Sequence, residues 1–345
     1  MTKKKVLYPW PPAPDTPLEH RALSDPAMER LKRITDVDNS RHPSFGAEAK
    51  EAWAERLKGV NVIGYVRRPW NWVEFLDMAS DLEMIQGAGI GYDHVDVSEC
   101  TRRGVLVCNV AEIMSESVAQ HAMALILDLS KKVTLVDRIM RRTGDWAPDK
   151  DRVGFELWGK TLGVIGLGGI GGRVAMKCHL AFDMRVLAYD PFVLPAAAQR
   201  YGATLVDLPT LLKESDVINV SCYLTRTGPH PTYHLLGAKE FDMMKKTAIL
   251  VNIARGSVID EVAMVEALKK GKIAGAGLDT FETEPLPSDS LLRDLDNVVM
   301  TAHQSSSTTE CRIKTPAAAI ENVIRYVQGK TPHWVVNRSL LYAKK

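Results

Sequence analysis

The chain has 345 residues, a quarter of them charged, with a formal net charge of +2. That length suits two domains or one large one, and a near-neutral balance without blocks of like charge argues against a nucleic-acid partner. No apolar run is long enough to span a bilayer, and Lys3-Lys4-Lys5 leads into a short strand and prolines instead of a secretory leader, so no membrane association and a cytoplasmic location are expected.

In chain order, Val6-Leu7-Tyr8 reads as a strand, and the segment holding Pro9, Pro11, Pro12, Pro14 and Pro17 as loop. Met28 to Ile34 has a helical pattern, residues 60–66 read as a strand, Trp72 to Met78 as a short helix and Met84 to Gln86 as a strand. A glycine turn, Gly87-Ala88-Gly89-Ile90-Gly91, follows, and then the strand Val105 to Cys108. Residues 116–136 form a helix-compatible run, apolar on nearly every face over Val118 to Leu127, as in a buried core or a subunit interface. A second series follows. Strands are predicted at residues 161–165, 185–189, 217–221, 249–253, 274–278 and 298–301, and helices at 170–181, 208–214, 261–270 and 317–328. Strands alternating with helices imply parallel sheets, so the expected fold is α/β with two similar lobes. The five cysteines (Cys100, Cys108, Cys178, Cys222, Cys311) are scattered and form no close Cys-x-x-Cys pair, which indicates reduced thiols and no zinc site.

Ile165-Gly166-Leu167-Gly168-Gly169-Ile170-Gly171 closes a predicted strand and opens a predicted helix. In a dinucleotide turn the first glycine (Gly166) makes the bend, the second (Gly168) lets backbone approach the pyrophosphate, and the third (Gly171) lets helix and strand pack closely. The phosphates sit at the positive end of the helix, here near Gly169 and Ile170. The next strand ends in Asp190, about 20 residues on, where an acid binds the ribose hydroxyls and repels a 2′-phosphate. An ordinary tight turn and a surface aspartate explain each feature alone. Together they favour NAD over NADP.

Three later residues complete a reaction set. Arg255 lies in Asn252-Ile253-Ala254-Arg255-Gly256, His303 follows Thr301-Ala302, and Glu284 stands between them. Arginine is permanently charged and grips a carboxylate through two parallel hydrogen bonds. Histidine exchanges a proton near neutral pH, and a neighbouring carboxylate orients its ring and favours its charged form. Singly, these residues read as a surface ion pair, a loop acid and a satisfied loop histidine. In order after a nucleotide turn they read as hydride transfer on a small anionic substrate.

Taken in sequence, Gly87 to Asp96, Ser117-Val118-Ala119-Gln120-His121, Leu157 to Gly163 with the glycine turn, Asn252 to Asp260, and Gly277 to Leu286 resemble the D-isomer-specific 2-hydroxyacid dehydrogenase family. The likeness runs from about Val60 to Asn322. It implies a nucleotide domain (109–304) inserted into a discontinuous substrate domain (1–108 and 305–345), NADH as cofactor and a homodimer. It implies Arg255 as the carboxylate-binding, carbonyl-polarising residue, His303 as acid/base and Glu284 as its partner. Asp279 would hold the nicotinamide carboxamide. Gly89, Ile90 and Gly91 would offer backbone N–H groups to the substrate, and Ser221, Cys222 and Ile253 would border the cofactor.

Several positions depart from the family pattern. Gln120 replaces the usual glutamate, Ala302 the usual proline, and Ser221-Cys222-Tyr223 the common His-Val-Pro. Gln304-Ser305-Ser306-Ser307 is either a hydroxyl-rich wall for a polar substrate or a neutral loop change, and Gly228-Pro229-His230-Pro231 reads as an extra piece. Arg67 and Arg68 are candidate phosphate or carboxylate grips, with two solvated arginines as the plainer reading. The remaining histidines, including His94, His121 and His179, read as structural or surface groups.

The expected activity is interconversion of a small 2-oxo acid and its D-2-hydroxy acid, with glyoxylate or hydroxypyruvate first and phosphoglycerate oxidation as the alternative. Formate dehydrogenases of the same family pair histidine with glutamine, which Glu284 opposes. A non-catalytic NAD-sensing corepressor-like protein is the rival outside enzymology. A methyltransferase with a similar turn is disfavoured by Asp190.

Overall fold

The computed structural model describes residues 3–8, 24–40, 42–66 and 68–342. The proline-rich stretch from Pro9 to Pro17, Arg67 and Lys344-Lys345 lie outside the described residues.

The chain forms two compact units, residues 1–114 with 308–345, and the continuous stretch 115–307. The boundaries fall slightly later than the sequence suggested, for local reasons. Asn109 N–H donates to Trp334 O and Val110 lies in the core of the first unit, so this segment stays there. At the other crossing, Ser305 N–H donates to Asp279 Oδ2 in the second unit.

The first unit carries β1 (Lys5–Leu7), β2 (Asp36–Asp38), β3 (Val60–Gly64), β4 (Met84–Gln86) and β5 (Leu106–Cys108) in the order β2-β1-β3-β4-β5. Every neighbouring pair is parallel. Buried apolar side chains cover both faces, as a parallel sheet requires: Met28 and Leu31 with Ile320 and Val323 in one cluster, Trp53, Leu57 and Phe75 in another. The helix Thr309–Val327 contributes more than apolar surface. Its buried Asn322 donates to Gln86 Oε1 at 2.8 Å, and Gln86 in turn donates to Gly87 O and Asn109 O, anchoring the Gly87–Gly91 turn from below.

The second unit has β6 (Thr161–Ile165), β7 (Arg185–Tyr189), β8 (Ala203–Leu205), β9 (Val217–Val220), β10 (Ile249–Asn252), β11 (Gly275–Leu278) and β12 (Val298–Met300). Their order, β12-β11-β10-β9-β6-β7-β8, is parallel throughout and reverses direction at the β6/β9 junction. This is a doubly wound nucleotide-binding sheet, and a ligand is expected outside the carboxyl ends of β6 and β9.

Two predicted helices differ from the structure. The run expected as one helix over 116–136 is two, Ser115–Lys131 and Val133–Thr143. Lys132 adopts φ 57° between them, and Asp128 accepts from the Thr134 N–H at 2.7 Å, capping the second helix with an acid from the first. The last long helix starts at Thr309, not Ala317, capped by Thr308 through Cys311 N–H, and continues through Pro316. Proline there removes one backbone donor. Packing of this helix on Ser24–Ile34 and the sheet outweighs that loss.

Candidate active site

The glycine turn has the geometry a dinucleotide needs. Gly166 sits at φ +90°, with its missing Cβ 2.6 Å from Cys222 Cα. A Cβ on Gly171 would lie 2.0 Å from Gly166 O, so a side chain there would push the helix Gly169–Phe182 off its strand. A Cβ on Gly168 would meet nothing within 4 Å, so backbone there is open to an approaching pyrophosphate. Asp190 Oδ2 accepts from Leu167 N–H at 2.9 Å and Oδ1 from Phe192 N–H at 3.0 Å, which fixes the acid beside the turn. Ser221 donates to Gly166 O at 2.8 Å, so the residue replacing the family's usual histidine braces the bend. Cys222 lines the same spot, but burial pushes its thiol up to about 12, which leaves it no thiolate chemistry. Ile253 is buried at the end of β10.

Arg255 stands on a loop that Asn252 shapes. The Asn252 amide donates to Arg255 O at 2.9 Å and accepts from Ala254 N–H at 3.0 Å. A Cβ on the next residue, Gly256, would lie 1.8 Å from the Phe281 carbonyl carbon, so only glycine lets the arginine loop rest on the backbone that leads to Glu284. Glu284 Oε2 and His303 Nδ1 are 2.8 Å apart, and Glu284 Oε1 accepts from Phe281 N–H at 3.1 Å. Burial pushes the Glu284 carboxyl up. The hydrogen bonds from His303 and Phe281, with the charges of His303 and Arg255, pull it below its usual range. The hydrogen bond to Glu284 raises His303, and this outweighs burial and the Arg255 charge. Arg255 therefore lies near enough for its charge to reach both partners, and the structure brings Arg255, Glu284 and His303 together.

His303 is held in a left-handed conformation at φ 48°. Its N–H donates to Asp279 O at 2.8 Å, and the Asp279 side chain anchors the same loop. That carboxylate is fully buried. It accepts from Thr301 Oγ1 at 2.7 Å, Gln304 N–H at 2.9 Å and Ser305 N–H at 3.0 Å. Burial pushes its pKa up, but these donors and the Ser305 hydroxyl lower it overall. Ser305, a candidate for a substrate-facing wall, is spent on this anchor.

His121 also takes part: its Nε2 lies 2.9 Å from Thr301 Oγ1 and 3.6 Å from Asp279 Oδ1. The sequence reading makes His121 a structural or surface group and gives Thr301 no role of its own. A histidine on an otherwise apolar helix was the available signal.

Gly89, Ile90 and Gly91 follow β4 in the first unit, where Val110 N–H donates to Gly89 O and the Asn109 amide to Ile90 O. Gln120 donates to Glu116 on its own helix. Arg68 is exposed. Among the described residues no helix is long and apolar enough to cross a membrane.

The family model for the D-isomer-specific 2-hydroxyacid dehydrogenase NAD-binding domain matches residues 123–305. The glyoxylate reductase of Thermococcus litoralis is 38% identical over 327 residues, covering 93% of this chain and 96% of that protein. The chain belongs to the D-isomer-specific 2-hydroxyacid dehydrogenase family. Membership makes it an NAD-dependent oxidoreductase of the 2-hydroxy-acid class. A second relative, the D-3-phosphoglycerate dehydrogenase of Archaeoglobus fulgidus, is 42% identical over 264 residues, or 76% of this chain, which spans only 49% of that protein's length. Among solved structures, a glyoxylate reductase from Paecilomyces thermophila superposes with a TM-score of 0.84 at 26% identity, covering 98% of this chain and 99% of that one. The family also explains the open backbone at Gly168 and the acid at Asp190, which suit NAD.

Proposed function

We propose that this dehydrogenase works as an NADH-dependent reductase of small 2-oxo acids, glyoxylate or hydroxypyruvate first. The observation that carries the reading is the 2.8 Å His303–Glu284 pair under the charge of Arg255, in the unit that carries the glycine turn. The Gly166–Gly171 turn and Asp190 would hold NADH, which would supply the hydride for the carbonyl carbon. With Nδ1 engaged by Glu284, His303 offers Nε2 to the carbonyl oxygen and gives up its proton there. Arg255 binds the substrate carboxylate and draws electron density toward that oxygen. Asp279 positions His303 from below, in addition to the nicotinamide role the resemblance implies. Gly89, Ile90 and Gly91 are the proposed backbone donors to the carboxylate, which makes the unit of residues 1–114 and 308–345 the substrate domain and the unit of residues 115–307 the NAD domain.

The test is NADH oxidation with glyoxylate, hydroxypyruvate, pyruvate, phenylpyruvate and 3-phosphohydroxypyruvate, repeated with NADPH. Fast turnover of glyoxylate or hydroxypyruvate supports the assignment. A rate with the phosphorylated compound alone replaces it with phosphoglycerate chemistry. Tight NADH binding without any rate makes the chain a sensor.

Two further outcomes follow from the site. Replacing Asp190 with alanine lowers the preference for NADH over NADPH by about tenfold, because the charge that repels a 2′-phosphate is gone. The ratio is the readout, since general loosening of the turn weakens both cofactors alike. An unchanged ratio removes Asp190 from cofactor choice. Replacing Glu284 with glutamine takes away the partner that raises His303. Reduction needs protonated His303, so its rate falls as pH rises through the histidine pKa, and in Glu284→Gln that fall moves to lower pH. A pH–rate profile with its alkaline limb unmoved refutes the coupling.

The homodimer reading is supported by bare apolar surface between Val133 and Trp158: Trp146 is 74% exposed, Trp158 71% and Val153 67%. Sedimentation velocity distinguishes dimer from monomer. The free cysteines suit a cytoplasmic location.

A further inference from the structure

The order β9-β6-β7 imposes a constraint: any contact between the loops after β7 and β9 must cross the carboxyl end of β6, where the glycine turn begins. One such contact is present. The Phe192 and His230 rings meet edge to face, 5.6 Å between centroids and 84° between planes. Phe192 is rooted beside the ribose-binding acid, since its N–H donates to Asp190 Oδ1. His230 belongs to the extra piece Gly228-Pro229-His230-Pro231.

That loop is pinned at its neck. Thr225 N–H donates to Thr232 Oγ1 at 2.8 Å, Thr232 N–H to Thr225 O at 2.9 Å, Tyr233 N–H to Thr225 O at 3.0 Å, and Thr232 Oγ1 to Tyr223 O at 2.6 Å. The Arg226 guanidinium stacks over the Tyr233 ring at 3.9 Å. Prolines on both sides of His230 restrict its backbone further. Despite this construction, Phe192 is 75% exposed and Tyr223 50% exposed, so aromatic surface lies bare around the turn.

We infer that Phe192 and His230 form an aromatic clasp across the adenosine half of the bound dinucleotide, holding it by ring contact and slowing its release. The inference rests on the NAD reading of the turn. The acid at the end of β7 fixes which half lies there: Asp190 takes the adenosine ribose, so the adenine falls on the Phe192 side. Arg255 and His303, which follow β10 and β12 on the other side of the switch point, belong to the nicotinamide half. Adenine is flat and weakly hydrated on its faces, and the exposed rings supply the stacking and edge contacts it favours.

The test follows NADH fluorescence on binding and its release by stopped-flow displacement, in the unmodified protein and in Phe192→Ala, His230→Ala and the double variant. Each single change speeds release by about threefold to tenfold, and the double variant is little faster than the worse single one, because the rings act as a pair. ADP-ribose weakens in the same proportion, while reduced nicotinamide mononucleotide, which lacks adenosine, binds unchanged. His230→Phe retains a ring and restores slow release. Both side chains are exposed, so thermal melting should stay constant and exclude misfolding as the cause. Release of NADH from both single variants at the unmodified rate overturns the clasp while leaving the NAD reading intact. So does equal weakening of the mononucleotide. Absence of NADH binding to the unmodified protein overturns both.

Discussion

Replacing His303 with alanine lowers turnover of the 2-oxo acid by about 10²–10⁴-fold and leaves NADH affinity within about twofold of its starting value. The size of the loss follows from what the ring does. Carbonyl reduction without a proton donor builds an alkoxide, and water is a poor and unpositioned replacement. The histidine is set for the task at three points: its N–H on Asp279 O, its Nδ1 on Glu284, and a backbone φ of 48° that the loop imposes. A non-glycine residue in that region is held against its own preference, as recurs at functional sites. The separation of effects is diagnostic because the glycine turn and Asp190 do not depend on the imidazole. Unchanged turnover in His303→Ala removes the histidine from proton transfer, and equal loss of NADH binding assigns it to the cofactor.

Replacing Asp279 with alanine destabilises the protein by about 3–5 kcal/mol, with a fall in melting temperature of roughly 10 °C, and also cuts turnover. The carboxylate is fully buried and accepts from Thr301, Gln304 and Ser305. Alanine leaves two backbone N–H groups and the hydroxyls of Thr301 and Ser305 without their acceptor, in a place water reaches poorly, and frees the loop that carries His303. Asp279→Asn keeps one acceptor oxygen and should lie between alanine and the natural residue in both measures. Urea unfolding and steady-state kinetics read the two effects. A loss below about 1 kcal/mol for alanine means the loop is held by other contacts.

Much of this is legible in the chain because the signals are local. Gly166, Gly168, Gly171 and Asp190 lie within one strand–turn–helix–strand unit, so spacing alone specifies them. Arg255, Glu284 and His303 are readable as an ordered set, although no single one is.

What escapes the sequence depends on contacts made across it. The strands Asp36–Asp38 and Ala203–Leu205 are three residues long and stand at sheet edges, so they exist through their one neighbour and carry no alternating pattern. The break at Lys132 is set by a cap from Asp128 across the junction, which apolar periodicity does not register. Proline inside Thr309–Val327 argues locally for a helix start, and only packing on a helix nearly three hundred residues earlier reverses that reading. Asp279 carries its weight through Thr301, Gln304 and Ser305, more than twenty residues away.

The insertion of residues 115–307 into the first unit also orders events on the ribosome. The strands of the first sheet are synthesised early, yet Ala319, Ile320 and Val323, which close its core, and Asn322, which bonds Gln86, arrive only with the last stretch of chain. At ordinary translation speeds the intervening unit takes roughly 10–40 s to make. In that interval the nucleotide-binding sheet has all its strands and can fold as a unit, while the earlier sheet waits with one apolar face covered only in part, by Ala27, Met28 and Leu31. The nascent chain therefore offers its sticky surface within residues 1–114, and that segment is where a holding chaperone would bind.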